Sequence, residues 1–462
     1  MSILTLNEKQ FQNKVSNITS KARQNLVEDI PHLNWSRKQI LAHQQYQIRK
    51  ILTHAKNHSP YYQQVLKNTD VENATIETLN EIPYLTKQMV LENWDNIVCD
   101  RSVTKAQAES HLEDIRRGKV NNPIFKDKYF IFATGGSSGQ RGIFLWDDEF
   151  IAANLSFVFR GNTYYEKNWI LDEKRCALLS APGMLHASTY LFGLQPDEKM
   201  KVFHVPVDQT IDDMVKQVNE IQPTHMIGFS SAVNILAQEA KKGKLICQPL
   251  RINTNSEPLD EETRNIVREV WGIEINNGWG SVKTGLIAHE DDTFNGLNMA
   301  EDYYTFATVD DDFKATSNPN EISKVLVTNT LNYTFPLINY VLDDVLEIQP
   351  SSKECAYQKI KAIKGRSDDW FIYNGVKLHP ITFRDALGQF KAINEYQVEQ
   401  ISSGIIVRLV CEQLIKLDEL KQMILNNVAK YGLHDFDVKI EKFDKLPRHK
   451  ETGKVKRFIS LK

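Results

Sequence analysis

The alternation of helix and strand between residues 211 and 276 constrains this chain more than any other feature. Ile211, Met214, Val215, Val218 and Ile221 recur at three and four, which predicts one apolar helix face, and Pro223 stops the run. Residues 224–229 then read as a buried strand. A second helix is expected from about Ala232 to Lys242 with Gly243 as its stop, followed by a strand over 249–254. A third helix opens at Leu259-Asp260-Glu261-Glu262, Gly272 closes it, and a strand follows over 273–276. Repeated crossovers of this βαβα kind imply an α/β fold with a largely parallel sheet covered by helices. Ligands of such sheets gather at the carboxyl ends of the strands. The loops expected there are Asn255-Ser256-Glu257-Pro258 and Asn277-Gly278-Trp279-Gly280-Ser281.

The flanks have a different character. Up to about residue 115 the chain reads as mainly helical, as in the stretch from Arg37 through Ile40, Leu41, Ile48, Ile51, Leu52 and Ala55. His54 and His58 lie one turn apart there and could share a metal, but with no third ligand nearby an ordinary helix face is expected. From about 300 strands take over, at 324–328 and 336–340. The polar run Lys364-Gly365-Arg366-Ser367-Asp368-Asp369 then marks a domain boundary. Beyond it a helix near 381–390, strands near 396–401 and 405–411, a helix over 417–430 and a strand over 436–443 make an α+β module. The module ends in a basic, glycine-containing loop over 446–457.

One further loop is chemically distinctive. The aromatic-aliphatic run Tyr129-Phe130-Ile131-Phe132-Ala133 predicts a strand, and Thr134-Gly135-Gly136-Ser137-Ser138-Gly139 follows it directly. Glycines let backbone N–H groups turn into one concavity, and Thr134, Ser137 and Ser138 add hydroxyl donors, which suits a phosphate chain. The same composition also suits a flexible turn. The spacing is too short for a Walker loop and no lysine follows, so an ordinary P-loop nucleotidase is not expected.

A chain of 462 residues has room for two or three domains. Its 56 Lys and Arg nearly balance 59 Asp and Glu, and no basic stripe is interleaved with aromatics, so small molecules rather than nucleic acids are the expected partners. Cys99, Cys176, Cys247, Cys355 and Cys411 form no C-x-x-C pair, which fits free thiols in a reducing compartment. The N-terminus lacks a basic flank with an apolar stretch, and no apolar run approaches the ~18 residues of a membrane span. A soluble, cytoplasmic protein is expected, with no membrane contact.

Taken in order, the glycine loop at 134–139, Asn255-Ser256-Glu257-Pro258, Trp279-Gly280-Ser281-Val282-Lys283, Tyr340-Val341-Leu342-Asp343-Asp344, Gly365-Arg366-Ser367-Asp368-Asp369 with Gly375 and Pro380, and Pro447-Arg448 with Gly453-Lys454 form a series. Over nearly the whole chain this series resembles the adenylate-forming superfamily of acyl-CoA synthetases, peptide-synthetase adenylation domains and luciferases, and within it the phenylacetate-CoA ligase branch. The resemblance implies that Thr134, Gly135, Gly136, Ser137, Ser138 and Gly139 hold the ATP phosphates, with Gln140 where the family usually has lysine. It implies nucleotide contacts by Ser256, Glu257, Pro258, Asn277, Gly278, Trp279, Gly280, Ser281 and Arg366, and a ribose contact by Asp344. It implies an acid pocket near Gly228, Phe229 and Ser230, where Phe229 and Trp279 would suit an apolar or aryl acid.

The implied architecture is a large ATP- and carboxylate-binding domain over 1–366, whose first 115 residues are the helical segment, and a small mobile C-terminal domain over 367–462. By the family's logic Asp368 is the hinge, and Lys454 meets the charge growing on the α-phosphate before the C-terminal domain rotates and carries it away. ATP, Mg2+ and coenzyme A follow as cofactor or co-substrates, with a carrier-protein thiol or an amine as alternative acceptors, and a homodimer is common in this branch.

The departures carry weight of their own. In the family's Y-G-x-T-E segment the threonine contacts phosphate and the glutamate binds magnesium, whereas Val282 and Lys283 stand here. One reading makes Lys283 catalytic, its ammonium doing part of the metal's electrostatic work while Ser281 or Thr284 supplies the hydroxyl. The other is a scaffold that binds nucleotide or acyl group without turnover. Glu290 is either a displaced metal ligand or a surface acid beside His289, and the metal ligands are otherwise undetermined.

Overall fold

A computed structural model describes residues 9–117, 119, 124–133, 142–165, 173–180, 200–207, 209–291, 294–310, 313, 323–352, 355–366, 371–378, 381–387, 389–390, 392–411, 414–448 and 455–461. Thr134, Gly135, Gly136, Ser137, Ser138, Gly139, Asp368 and Lys454 lie outside the described residues, and Arg366 is described in its backbone only. The chain divides into two units, residues 1–342 with 347–362, and residues 343–346 with 363–462.

The first unit opens with helices, as the periodicity requires. Helix Arg37–His58 buries Ile40, Gln44, Ile48, Ile51, Leu52 and Ala55, and Ser36 starts it with a capping box closed by Gln39. His54 donates from Nε2 to the Tyr333 carbonyl at 2.9 Å, so its helix face is packed. Strands β1 (Ile124–Phe125), β2 (Tyr129–Ala133) and β3 (Ile143–Trp146) form a small antiparallel sheet. Phe130, Phe132 and Trp146 of that sheet share a core with Phe150 and with Phe11, Ile18 and Ala22 of helix Lys9–Asp29.

The large sheet contains β4 (Lys174–Ser180), β5 (Met200–Pro206), β6 (His225–Gly228), β7 (Arg251–Asn255), β8 (Ile275–Ser281), β9 (Gly285–Asp291), β10 (Phe294–Met299), β11 (Tyr304–Val309), β12 (Ser323–Asn329), β13 (Tyr340–Gln349) and β14 (Lys359–Arg366). Their order is β11-β12-β13-β14-β10-β9-β8-β7-β6-β4-β5. The run β5-β4-β6-β7-β8 is parallel throughout, as the βαβα order requires, and the sheet turns antiparallel from β8 to β9 and onward to β10 and β14. Helices Ile211–Ile221, Ser230–Lys241 and Glu261–Trp271 cover the parallel part, where Met214, Val218, Leu236, Val267 and Trp271 pack on Leu179, Met226, Ile252 and Ile275. The first of these helices ends at Gln222, in the left-handed region, one residue before Pro223.

Strand β8 runs further than its apolar pattern suggests. Residues 277–281, expected as a loop, are the second half of the strand and pair with β9, Gly278 opposite His289 and Ser281 opposite Gly285. The glycines make this pairing close. A Cβ at Gly280 would lie 2.4 Å from the Gly285 carbonyl oxygen, so a side chain there would force the hairpin apart.

The second unit is the expected α+β module. A hairpin of β15 (Phe371–Tyr373) and β16 (Val376–Leu378) precedes a four-stranded sheet in the order β19-β18-β17-β20, made of β17 (Ile393–Ile401), β18 (Gly404–Cys411), β19 (Asp437–Lys442) and β20 (Phe458–Ile459). Helices Ile381–Leu387 and Leu417–Ala429 contribute Phe383, Leu420, Ile424 and Val428 to a core with Val398, Ile405, Val407 and Leu409 of the sheet.

Among the described residues no helix is long and apolar enough to cross a membrane. All five cysteines are free thiols, and burial pushes Cys176 and Cys247 up to about 12.

Candidate active site

The carboxyl ends of β6, β7 and β8 bring three of the sequence-identified segments together. At the end of β6, Gly228 has φ +146° and sits so close to β4 that a Cβ would lie 1.9 Å from the Leu179 carbonyl oxygen. Only glycine fits between the strands there. The chain then enters helix Ser230–Lys241 through Phe229, which has no side chain able to cap it. The missing cap comes from the next loop, where Glu257 Oε2 accepts from the Ser231 N–H at 3.1 Å, while the Ser230 hydroxyl donates to the Pro258 carbonyl at 2.9 Å. Glu257 and Pro258 are therefore fastened to the start of helix Ser230–Lys241.

Ser256, with φ +67°, reverses the chain after β7, and its hydroxyl donates to Asn255 Oδ1 at 2.9 Å. Thr254 donates to Asn277 Oδ1 at 3.1 Å and so joins β7 to β8. Asn255 and Asn277 are buried at this edge. Phe229 is completely buried, and its ring packs in the core between sheet and helices with Leu179 and Leu236. Trp279 is also buried, within the β8–β9 pairing.

Glu290 is neither a surface acid nor positioned as a metal ligand. Arg264 Nη2 lies 2.7 Å from each of its carboxylate oxygens, and Oε2 also accepts the Asn277 N–H at 3.0 Å. It ties helix Glu261–Trp271 to β8.

The turn after β8 is held from several sides. The Ser281 and Thr284 hydroxyls meet at 2.9 Å, and Tyr304 donates to the Thr284 carbonyl at 2.6 Å. Trp146 Nε1 donates to the Val282 carbonyl at 3.0 Å, and the Val282 side chain packs on the aromatic core. Thr284 is fully buried and its hydroxyl also reaches the Gly285 carbonyl, so it offers no hydroxyl to a ligand; Ser281 keeps partial exposure. Lys283 is buried, with Nζ 5.2 Å from the centre of the Tyr340 ring, within cation–π range. Asp344 lies half-buried in β13.

The described residues do not assemble a magnesium site. Among them no three His, Cys, Asp or Glu side chains are arranged to hold a metal ion, and the ammonium of Lys283 occupies the turn after β8.

No protein-family model matches the chain. Protein CapK of Staphylococcus aureus is 20% identical over 350 residues, 71% of this chain and 68% of that protein. The phenylacetate-coenzyme A ligase of Pseudomonas putida is 20% identical over 200 residues, 42% of this chain and 45% of that enzyme. The crystal structure of 2-hydroxyisobutyryl-CoA ligase in the postadenylation state, in complex with R3-HIB-AMP, matches with a TM-score of 0.69 over 92% of this chain and 89% of that one, at 14% identity. The chain has the adenylate-forming fold.

On that fold this chain carries a buried ion cluster that sequence reasoning missed. Arg160 donates to the Asp302 carboxylate and to the Asp29 carbonyl, and His32 Nδ1 meets Asp302 Oδ2 at 2.9 Å. Ser156 and Tyr303 donate to Asp29 Oδ2, while Arg37 pairs with Glu301 at 2.7 Å. Burial works to raise Asp302, yet Arg160 and the His32 hydrogen bond outweigh it and hold this carboxyl well below its ordinary range. For Asp29 burial prevails over its hydroxyl donors and pushes the carboxyl up. Tyr303 binds this cluster and its neighbour Tyr304 supports the Lys283 turn, so the N-terminal helices brace the site from behind. The partners stand 142 and 270 positions apart, beyond any motif spacing.

Proposed function

We propose that this chain is an AMP-forming ligase that activates a carboxylic acid with ATP and transfers the acyl group to a thiol, coenzyme A. The observation that carries the reading is the convergence of residues 228–231, 255–258 and 277–281 at the carboxyl ends of parallel strands in a chain with this fold. In the first half-reaction a carboxylate oxygen attacks the α-phosphorus and pyrophosphate leaves. In the second, the thiol sulfur attacks the acyl carbon, AMP leaves with the bonding pair, and the thiol proton passes to solvent.

Each residue then has a task. Lys283, on its braced turn, places fixed positive charge toward the α-phosphate, and Ser281 adds a hydroxyl. Residues 134–139 hold the phosphates, Asp344 and Arg366 bind the nucleotide, and Asp368 is the hinge. Lys454 meets charge in the adenylation step and withdraws with the C-terminal domain for thiol attack. The end of β6, with Gly228, Phe229 and Ser230, borders an apolar or aryl acid. Magnesium would accompany ATP and supply charge neutralisation, without a ligand set among the described residues. The reaction belongs in a reducing cytoplasm, in keeping with five free thiols.

Carboxylate-dependent exchange of labelled pyrophosphate into ATP tests the reading, with pooled aryl, fatty, hydroxy and amino acids, magnesium present and then chelated. Exchange with one pool and its loss in Lys454→Ala support it. Exchange without subsequent CoA turnover moves the acceptor to a carrier-protein thiol or an amine. Nucleotide binding without exchange for any pool favours the binding-only reading, which the core packing of Val282 and the buried charge of Lys283 would fit.

A further inference from the structure

The second unit holds both ends of the segment that carries Lys454 on one face of one strand. Glu395 and Gln397 stand two apart in β17, so their side chains leave the same face of the sheet, roughly 7 Å apart. Arg448 Nη2 lies 2.5 Å from Glu395 Oε1, with both side chains largely buried at 14% and 17% exposure. Further along the chain, the Lys456 carbonyl accepts from Gln397 Nε2 at 2.9 Å, the Arg457 carbonyl accepts from the Val398 N–H at 2.7 Å, and the Arg457 guanidinium lies 5.3 Å from the Tyr396 ring centre. The Gln397 amide cannot turn over. Its oxygen accepts from Arg408 Nη1 at 2.9 Å, and Arg408 is itself held by Glu399 at 2.5 Å and Glu441 at 3.5 Å, so the –NH2 is directed at the Lys456 carbonyl.

We infer that Glu395 and Gln397 are positioning residues that pin the entry and exit of the Arg448–Lys456 segment and so set where Lys454 can reach during adenylation. The inference rests on the reading of Lys454 above. An ion pair between partly desolvated groups fixes the entry, and a hydrogen bond oriented by the Arg408 network fixes the exit two residues after Lys454. Glu395, Gln397 and Glu399, alternating along β17 with the core residues Tyr396 and Val398, thus bind Arg448, the Lys456 carbonyl and Arg408.

Gln397→Glu is the discriminating variant. It is isosteric and strengthens the pairing with Arg408, so a purely structural role would leave the unit as stable as before, yet a carboxylate has no N–H for the Lys456 carbonyl. The full-length protein should keep its urea midpoint while amide hydrogen exchange over residues 447–457 rises roughly fivefold and pyrophosphate exchange falls roughly three- to tenfold. Thioester formation from supplied acyl-adenylate should be unchanged. Glu395→Ala should show the same split with a loss of about tenfold or more, and the swap Glu395→Arg with Arg448→Glu should restore most of the rate.

Parent-like hydrogen exchange over 447–457 in both single variants overturns the inference. So does a parent-like adenylation rate in a protein whose Lys454→Ala form is inactive. Should the parent show no pyrophosphate exchange with any acid, the ligase reading and the catalytic consequence drawn here fall together, while faster hydrogen exchange in Gln397→Glu would still establish the anchors.

Discussion

Replacing Lys283 with methionine separates catalytic charge from structural fit. Methionine keeps the length of the apolar stem and removes only the ammonium of a residue that is 8% exposed, with Nζ 5.2 Å from the Tyr340 ring centre. The ring contact and the burial act on stability in opposite directions. The lost cation–π contact costs up to about 2 kcal/mol at a desolvated site, while removal of a buried charge returns a desolvation penalty of the same order or larger. Stability should therefore stay within about 1 kcal/mol of the parent, measured by urea unfolding. Catalysis should not. Opposite charges about 4 Å apart in a medium of effective dielectric near 20 attract by about 4 kcal/mol, and removing one fixed donor to a developing oxyanion costs about 2.7–4 kcal/mol. Pyrophosphate exchange should fall about 10²- to 10³-fold, with Lys283→Arg intermediate. In Lys283→Glu, a carboxylate against the ring face should both lower stability and change the magnesium titration. Exchange within about threefold of the parent in Lys283→Met, together with an unchanged magnesium titration in Lys283→Glu, would refute the assignment and leave Lys283 as a packing residue.

Three other outcomes follow from the geometry. Glu290→Gln keeps one acceptor for Arg264 and loses the bidentate charge, so unfolding free energy should drop by about 1–3 kcal/mol with the magnesium requirement unchanged; a higher requirement would restore Glu290 as a metal ligand. Asp29→Asn tests the raised carboxyl. A group whose folded pKa lies above its ordinary 3.8 contributes stability that is complete below that value and lost as pH rises through the folded one. The urea midpoint of the parent relative to Asp29→Asn should therefore decline from pH 4 toward neutrality, and a flat difference would contradict the burial argument. Gly228→Ala should cost about 3 kcal/mol or more, because the new methyl meets the Leu179 carbonyl at a φ of +146°, and a loss below about 1 kcal/mol would mean that β4 and β6 are not so closely apposed.

Much of the architecture was legible because local rules generate it. The three-four spacing of Met214, Val215, Val218 and Ile221 becomes a buried helix face, and Gly272 ends its helix in the left-handed region. The site was legible only as a set of segments. Glu257 stood out as a motif residue but is read from the structure as the cap of helix Ser230–Lys241, because Phe229 cannot cap it. Trp279 and its glycines looked like a loop since glycine is rare in strands, and close pairing with β9 explains their presence.

The sequence alone determined the order of elements and the parallel crossovers, since periodicity and turn residues are properties of neighbours along the chain. Only the tertiary structure decided that Glu290 belongs to Arg264, that Lys283 lies against Tyr340, that Phe229 fills the core, and that Asp29, Arg160 and Asp302 form one buried cluster. Charge pairing and burial depend on distance in space, and folding places side by side groups such as Asp29 and Tyr303 that the chain separates by 274 residues.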